Sequence, residues 1–410
     1  MKTLTGIRIN GVWAVIALAG AMSALGATDP KQEITSNDAK PEMIDMYSGI
    51  VPKAAGLVPL KGVEFYAIKA FEPEKDEFKW LHGVNLMWHK KRLYASFGHN
   101  KAQENSQGEM ARYRVSEDSG KTWGAVQTIA VSQGNQSVSH GVFLSHAGRL
   151  WAFQGAFYDR FQRTHTRAYL LDETTGEWTP KGLVIDGGFW PLQQPEKMKD
   201  GNWIMAGLCA PKGFPEKGEE HLSLDLPAVA ISHGDDFTKW DLIVVQLSEG
   251  LTGPWGESNI IVDGSHITMI SRWWWEYPSA LVAESKDFGR TWTSLKASNI
   301  PMAASKPCAG MLSTGQRYLI ANISADGGNK RSPLSIAYSR PGETVLSQIR
   351  LIRSDVQAGT PWSEAGAKLS YPCAIEKDGK LYVGYSNSAR GTGVNYNNAE
   401  LAVIPISELR

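Results

Sequence analysis

One pattern recurs six times along this 410-residue chain: a polar or aromatic start, an apolar strand, a tight turn often carrying glycine, and a second apolar strand. The copies are HGVNLMWHKKRLYASFG (82–98), HGVFLSHAGRLWAFQG (140–155), QPEKMKDGNWIMAGL (194–208), ESNIIVDGSHITMISR (257–272), KPCAGMLSTGQRYLIAN (306–322) and YPCAIEKDGKLYVGYSN (371–387). Each reads as a β-hairpin from its alternation and turn chemistry. A third strand follows each copy: MARYRVS, RAYLLDE, PAVAIS, PSALVAES, PLSIAYS and AELAVIP. No long amphipathic helix is visible. The copies start about 50 to 65 residues apart, and four-stranded units at such a period build a propeller. The expectation is therefore an all-β, six-bladed β-propeller of antiparallel four-stranded blades. Residues 34–75 are expected to add a closing outer strand to the last blade, with a seventh, divergent blade as the alternative. The Pro/Gly/Glu-rich span 210–226 reads as a long loop within a single domain, 27–410.

The start of the chain reads as an export signal. Lys2 and Arg8 precede the uncharged apolar run Gly11 to Leu25, and Ala24, Gly26 and Ala27 offer small residues for cleavage. The run is short for a membrane anchor, so the mature protein, beginning after residue 26, is expected to be secreted or periplasmic. Its removal takes two basic residues and no acidic one, leaving 40 basic against 42 acidic side chains. That balance argues against nucleic acid or an anionic membrane as partner. Cys209, Cys308 and Cys373 are too few for a disulfide framework and read as small buried hydrophobes.

A second motif follows several third strands. SEDSGKTW (116–123) and SKDFGRTW (285–292) share Ser-x-Asp-x-Gly-x-Thr-Trp, with weaker echoes at DETTGEW (172–178) and SHGDDFTKW (232–240). The aspartate can accept backbone N–H groups, glycine supplies a positive φ, and tryptophan packs beneath the turn. In an antiparallel blade these turns lie opposite the face that carries the hairpin starts and the loops after the second strands. Those loops are polar and rich in chemistry: GHNKAQENSQGE, AFYDRFQRTHT, RWWWEY, SADGGNKRS and NSARGTGVNYNN. His82, His99, His140 and His165 fall on that face, and His221 is a further candidate.

The repeats and the Asp-x-Gly-x-Thr-Trp turns, known as Asp-boxes, resemble the sialidase superfamily. Asp-boxes are structural, so they identify a scaffold and not a chemistry. The resemblance implies arginines clamping a substrate carboxylate, a tyrosine nucleophile deprotonated by a glutamate, and an acidic residue as acid/base. Glu257 opens the fourth hairpin, and Arg272 closes it fifteen positions on. Arg331 stands just before the fifth blade's third strand, and Tyr371 opens the sixth hairpin in a Tyr-x6-Asp-Gly context. These match the family's glutamate, two clamp arginines and nucleophile. Glu104, twelve residues before Ser116, stands near the place of the acid/base. The first blade departs from the pattern: no Arg-Ile-Pro triplet occurs, and His82 takes the arginine's place. Imidazole cannot reproduce a bidentate guanidinium.

A weaker likeness is to secreted propellers that act as ulvan lyases or as rhamnosidases beside glucuronate. His99, His140, His165, Tyr158 and Arg163 would serve such chemistry, neutralising a uronate and moving protons. Trp274, within Trp273 to Trp275, is expected to form a sugar-stacking wall, as is Trp190. No metal or cofactor motif is present. Three functions follow: a sialidase-like hydrolase of an acidic sugar, a lyase or rhamnosidase on a uronate polysaccharide, or a glycan-binding propeller without catalysis.

Overall fold

The computed structural model describes residues 43–212, 225–251, 253–273, 279–390 and 398–410. They form six antiparallel sheets. Blade 1 runs Trp80–His89, Arg92–Asn100, Met110–Ser116 and Gln127–Ala130. Blade 2 comprises Gln136–His146, Arg149–Tyr158, Gln162–Leu171 and Trp178–Ile185. In blade 3 the first strand is broken into Phe189–Pro191 and Glu196–Lys197, followed by Trp203–Cys209, Leu226–His233 and Asp236–Val244. Blade 4 comprises Pro254–Asp263, His266–Trp273, Ser279–Ser285 and Lys296–Pro301. Blade 5 has Cys308–Met311, Arg317–Ala321, Leu334–Tyr338 and Gln348–Arg353. Blade 6 has Leu369–Lys377, Lys380–Asn387 and Asn398–Pro405, with Glu64–Lys69 as its outermost strand. The segment before blade 1 thus closes the ring, and it forms no seventh blade.

Each blade buries both faces against its neighbours. Leu81, Leu86, Phe97 and Cys373, Tyr382, Leu401 fill the seam between blades 6 and 1, and Tyr94, Tyr113 and Phe143, Leu150, Ala152 the next. Comparable clusters fill the other four seams. This explains why inner strands such as Leu81 to Met87 are buried residue after residue instead of alternating with polar positions. All three cysteines are buried and unpaired.

The Asp-box turns close as their residue types demand. Asp118 Oδ1 accepts the Thr122 N–H at 2.8 Å, and Ser116 Oγ accepts the Gly120 N–H at 2.8 Å. Gly120 sits at φ 88°, and Trp123 Nε1 donates back to its carbonyl at 3.0 Å. Ser285 to Trp292 repeats the arrangement.

Candidate active site

The innermost strands of four blades break register where they meet the upper face: between His82 and Asn85, Val138 and Gly141, Pro254 and Ser258, and Ser370 and Cys373. Bulges of this kind re-aim side chains that a regular strand would bury in a seam. Here they lie at His82, His140, Trp255 to Glu257 and Tyr371, which line a common pocket of about 200 Å³ together with Glu104, Asp225, Arg272 and Arg331. Gly83 shows why one bulge needs glycine. It adopts φ 69°, and a Cβ there would lie 2.1 Å from the His140 ring.

At the pocket's centre the Tyr371 phenol donates to Glu257 Oε1. Arg272 Nη1 donates to Glu257 Oε2 at 2.6 Å and to the Tyr371 oxygen at 3.3 Å. All three residues are buried. Tyr371 holds φ 55°, a left-handed course that costs a side-chain-bearing residue about 1–3 kcal/mol and persists only where its surroundings enforce it. Burial first, and then the Glu257 carboxylate, push its phenol well above the usual range, so the hydroxyl is neutral at rest. Trp255 lies under the Arg272 guanidinium, 5.1 Å from ring centroid to carbon.

Arg331 lies 5.8 Å from the Tyr371 ring centroid and donates to the Ala304 carbonyl at 2.8 Å. His82, in the place the sialidase pattern gives to arginine, packs against the Tyr371 ring, tilted at 48° with centroids 3.9 Å apart, and shares a 2.8 Å hydrogen bond with Ser386 Oγ through Nδ1. Burial, then the neighbouring His140 and cations, hold its pKa well below the ordinary value. It is a neutral ring. His140, packed 5.0 Å from Trp190, is depressed to about 3, first by burial and then by Lys306.

Two carboxyls face this cationic side. Asp225 is buried, its Oδ1 has no hydrogen-bond partner among the described residues, and burial and then Glu257 raise it to about 7. Glu104 stands exposed at the rim. Its pocket surroundings push it upward, with Arg331 opposing and Glu257 assisting, while access to water screens part of that effect. The Glu104 loop is anchored from below: the Asn105 N–H donates to Glu109 Oε2 at 2.9 Å.

The other expected residues lie apart. His99 is buried in blade 1, stacked 3.9 Å from Phe78, because its place on the second strand turns it into the seam. Tyr158, Arg163 and His165 form a separate group on blade 2: the Arg163 guanidinium lies 3.8 Å over the Tyr158 ring, and Gln136 bonds Tyr158 and His165 at 2.9 and 3.3 Å. Trp274 and His221 lie outside the described residues. Sequence reasoning missed Asp225, Trp255, Phe161, Leu192 and Leu208. Asp225 had a readable clue. It stands two residues before the proline that leads the third strand, as Arg331 does in blade 5. A larger cavity, about 740 Å³, adjoins the pocket through Arg331 and is lined by Asn322, Asp326, Lys330, Asp355 and Lys368. Among the described residues no three His, Cys, Asp or Glu side chains cluster to hold a metal.

Residues 111–383, two thirds of the chain, match the family described as BNR repeat-like domain. The chain belongs to that family. Solved structures with the same fold include a protein of unknown function from Dyadobacter fermentans, at 13% identity and TM-score 0.61 over 84% of this chain and all of the other. The NanB sialidase of Streptococcus pneumoniae aligns at 9% identity and TM-score 0.64, and a leech intramolecular trans-sialidase at 11% and 0.62, each over 84% of this chain and 71% of the other. No curated protein matches the sequence. The molecule is a BNR propeller that shares its fold with these solved sialidases.

Proposed function

We propose that this BNR propeller is a glycoside hydrolase that releases an acidic sugar from a glycan through a covalent tyrosyl intermediate. The observation that carries the reading is the Tyr371 phenol donating to Glu257 at the centre of the pocket, with Arg272 bonded to both. A neutral phenol is the nucleophile that suits an anomeric carbon beside a carboxylate, since an anion would be repelled. Glu257 takes the phenolic proton as the Tyr371 oxygen attacks that carbon. Glu104, its pKa raised so that the acid form persists toward neutral pH, protonates the leaving oxygen as the glycosidic bond breaks. In the second step Glu104 deprotonates the attacking water, the carbon–tyrosine bond breaks, and the phenolate recovers its proton from Glu257. Arg272 and Arg331 hold the sugar carboxylate, and Asp225 accepts hydrogen bonds from sugar hydroxyls. His82 is neutral where sialidases carry a third arginine. The clamp is therefore weaker and leaves room for acidic sugars other than sialic acid.

The remainder of the glycan has space in the 740 Å³ cavity beyond Arg331. The charged start and apolar run of residues 2–25 support action outside the cytoplasm. The test is a product assay on sialylated and uronate-containing glycans, with the Tyr371→Phe variant alongside. New reducing ends that vanish in Tyr371→Phe support the reading. An ultraviolet-absorbing unsaturated uronate would replace it with a lyase, and saturable binding without turnover would replace it with a glycan-binding protein.

A further inference from the structure

Lys306 opens the fifth hairpin as Tyr371 opens the sixth: KPCA at 306–309 and YPCA at 371–374 are the same stretch with one residue exchanged. Lys306 is 3% exposed and does not line the pocket; it lines a separate cavity of about 270 Å³ with Cys308, Tyr318 and Cys373. Its Nζ crosses the blade 5–blade 6 seam and donates to the Pro372 carbonyl at 2.6 Å. That carbonyl needs such a donor. Pairing of the blade 6 inner strand skips from Ser370 to Cys373, so Tyr371 and Pro372 stand outside the ladder, and a buried carbonyl left unpaired is costly. The same two residues carry the left-handed turn of Tyr371, φ 55°, which must be enforced from outside.

We infer that Lys306 is a positioning residue, holding the Tyr371–Pro372 peptide across the seam in the kinked course that presents the Tyr371 phenol to Glu257. This deepens the hydrolase reading and rests on it only for its kinetic consequence. Lys306→Met removes the donor and keeps the length of the side chain; Lys306→Gln keeps a donor.

The test reads Tyr371 directly, by nuclear magnetic resonance of protein carrying 13Cζ-labelled tyrosine, with the signal identified through Tyr371→Phe. In Lys306→Met the Tyr371 resonance is expected to move toward that of a free phenol, and in Lys306→Gln to stay close to the wild-type position. On any glycan the wild type cleaves, kcat falls at least tenfold in Lys306→Met with KM within twofold, and Lys306→Gln recovers part of the loss. An unmoved Tyr371 signal in a folded Lys306→Met protein overturns the inference. A wild type that cleaves nothing removes the hydrolase reading and leaves the resonance to decide this one. Should Lys306→Met not fold, the Tyr371→Gly background decides, because glycine accepts positive φ without cost. Folding of the double variant supports the inference, and failure there too overturns it by making Lys306 a general support of the blade 5–blade 6 seam.

Discussion

Tyr371 combines three features that seldom meet in one residue: it is buried, left-handed and hydrogen-bonded through its hydroxyl to a carboxylate. Replacing it with phenylalanine keeps the packing and removes the nucleophile, so turnover is expected to fall by a factor of about a thousand or more with the melting temperature nearly unchanged. Glu104→Gln removes the proton donor and should lower kcat by about 10²–10⁴-fold on natural glycans. An aryl glycoside, whose leaving group needs no proton, should escape most of that loss; an equal loss on both substrates counts against Glu104 as the acid. Glu109, fully buried beneath the Glu104 loop, is pushed up to about 8, chiefly by burial. A carboxyl raised on folding holds its proton more tightly in the native state. Its stabilisation is complete below the ordinary value of 4.5 and is lost as pH climbs through about 8. Glu109→Gln keeps an acceptor for Asn105 and no longer ionises. Thermal melts across that window should show the wild type losing stability relative to the variant as pH rises.

Turns and strands carried most of what could be read beforehand. The Asp-Gly and Ala-Gly hairpin turns and the two Asp-boxes have local chemistry that dictates local geometry, and they form as expected. The bulges were not legible. The glycine of HGV and the proline of YPC suit a break in register, but whether a strand bulges there is decided by what it must reach at the axis. Asp118, held by Thr122 and Ser116, is lowered to about 2. A carboxylate lowered on folding stabilises above its ordinary value of 3.8, and that contribution is lost as pH falls through about 2. Asp118→Ala should therefore lower the melting temperature at neutral pH and flatten the acid limb of the stability curve. Gly141 makes a different demand. A Cβ there would meet the Phe153 carbonyl oxygen at 2.0 Å, and backbone cannot step aside as a side chain can. Gly141→Ala is expected to cost at least about 1–3 kcal/mol in a denaturant titration.

At the scale of the molecule, closure decides stability. The strand Glu64–Lys69 pairs along Asn398–Pro405, so residues from near the start of the described chain complete the blade built by its end. Ile68 is buried in the seam that this closes. A chain shortened to begin after Lys69 would leave an open sheet edge and uncovered apolar surface, and it should lose the single cooperative melt of the full protein or associate through that edge. Closure also builds the pocket, because Tyr371 on blade 6, Glu257 on blade 4 and His82 on blade 1 converge only when the ring is complete.

The sequence by itself determined the repeat, the strand and turn chemistry, the six blades and their closing strand, since these rest on residues near one another in the chain. The resemblance to the sialidase pattern also singled out Tyr371, Glu257, Arg272, Arg331, Glu104 and His82, and the place of His140 at a hairpin start added a seventh residue. Tertiary structure alone decided that these seven share one pocket, that His99 turns into a seam instead, and that Asp225 and Trp255 join them. It also brought Lys306 against the Pro372 carbonyl. Each depends on contacts between residues tens to hundreds of positions apart, where a bulge or a seam chooses which way a side chain points and no local preference can.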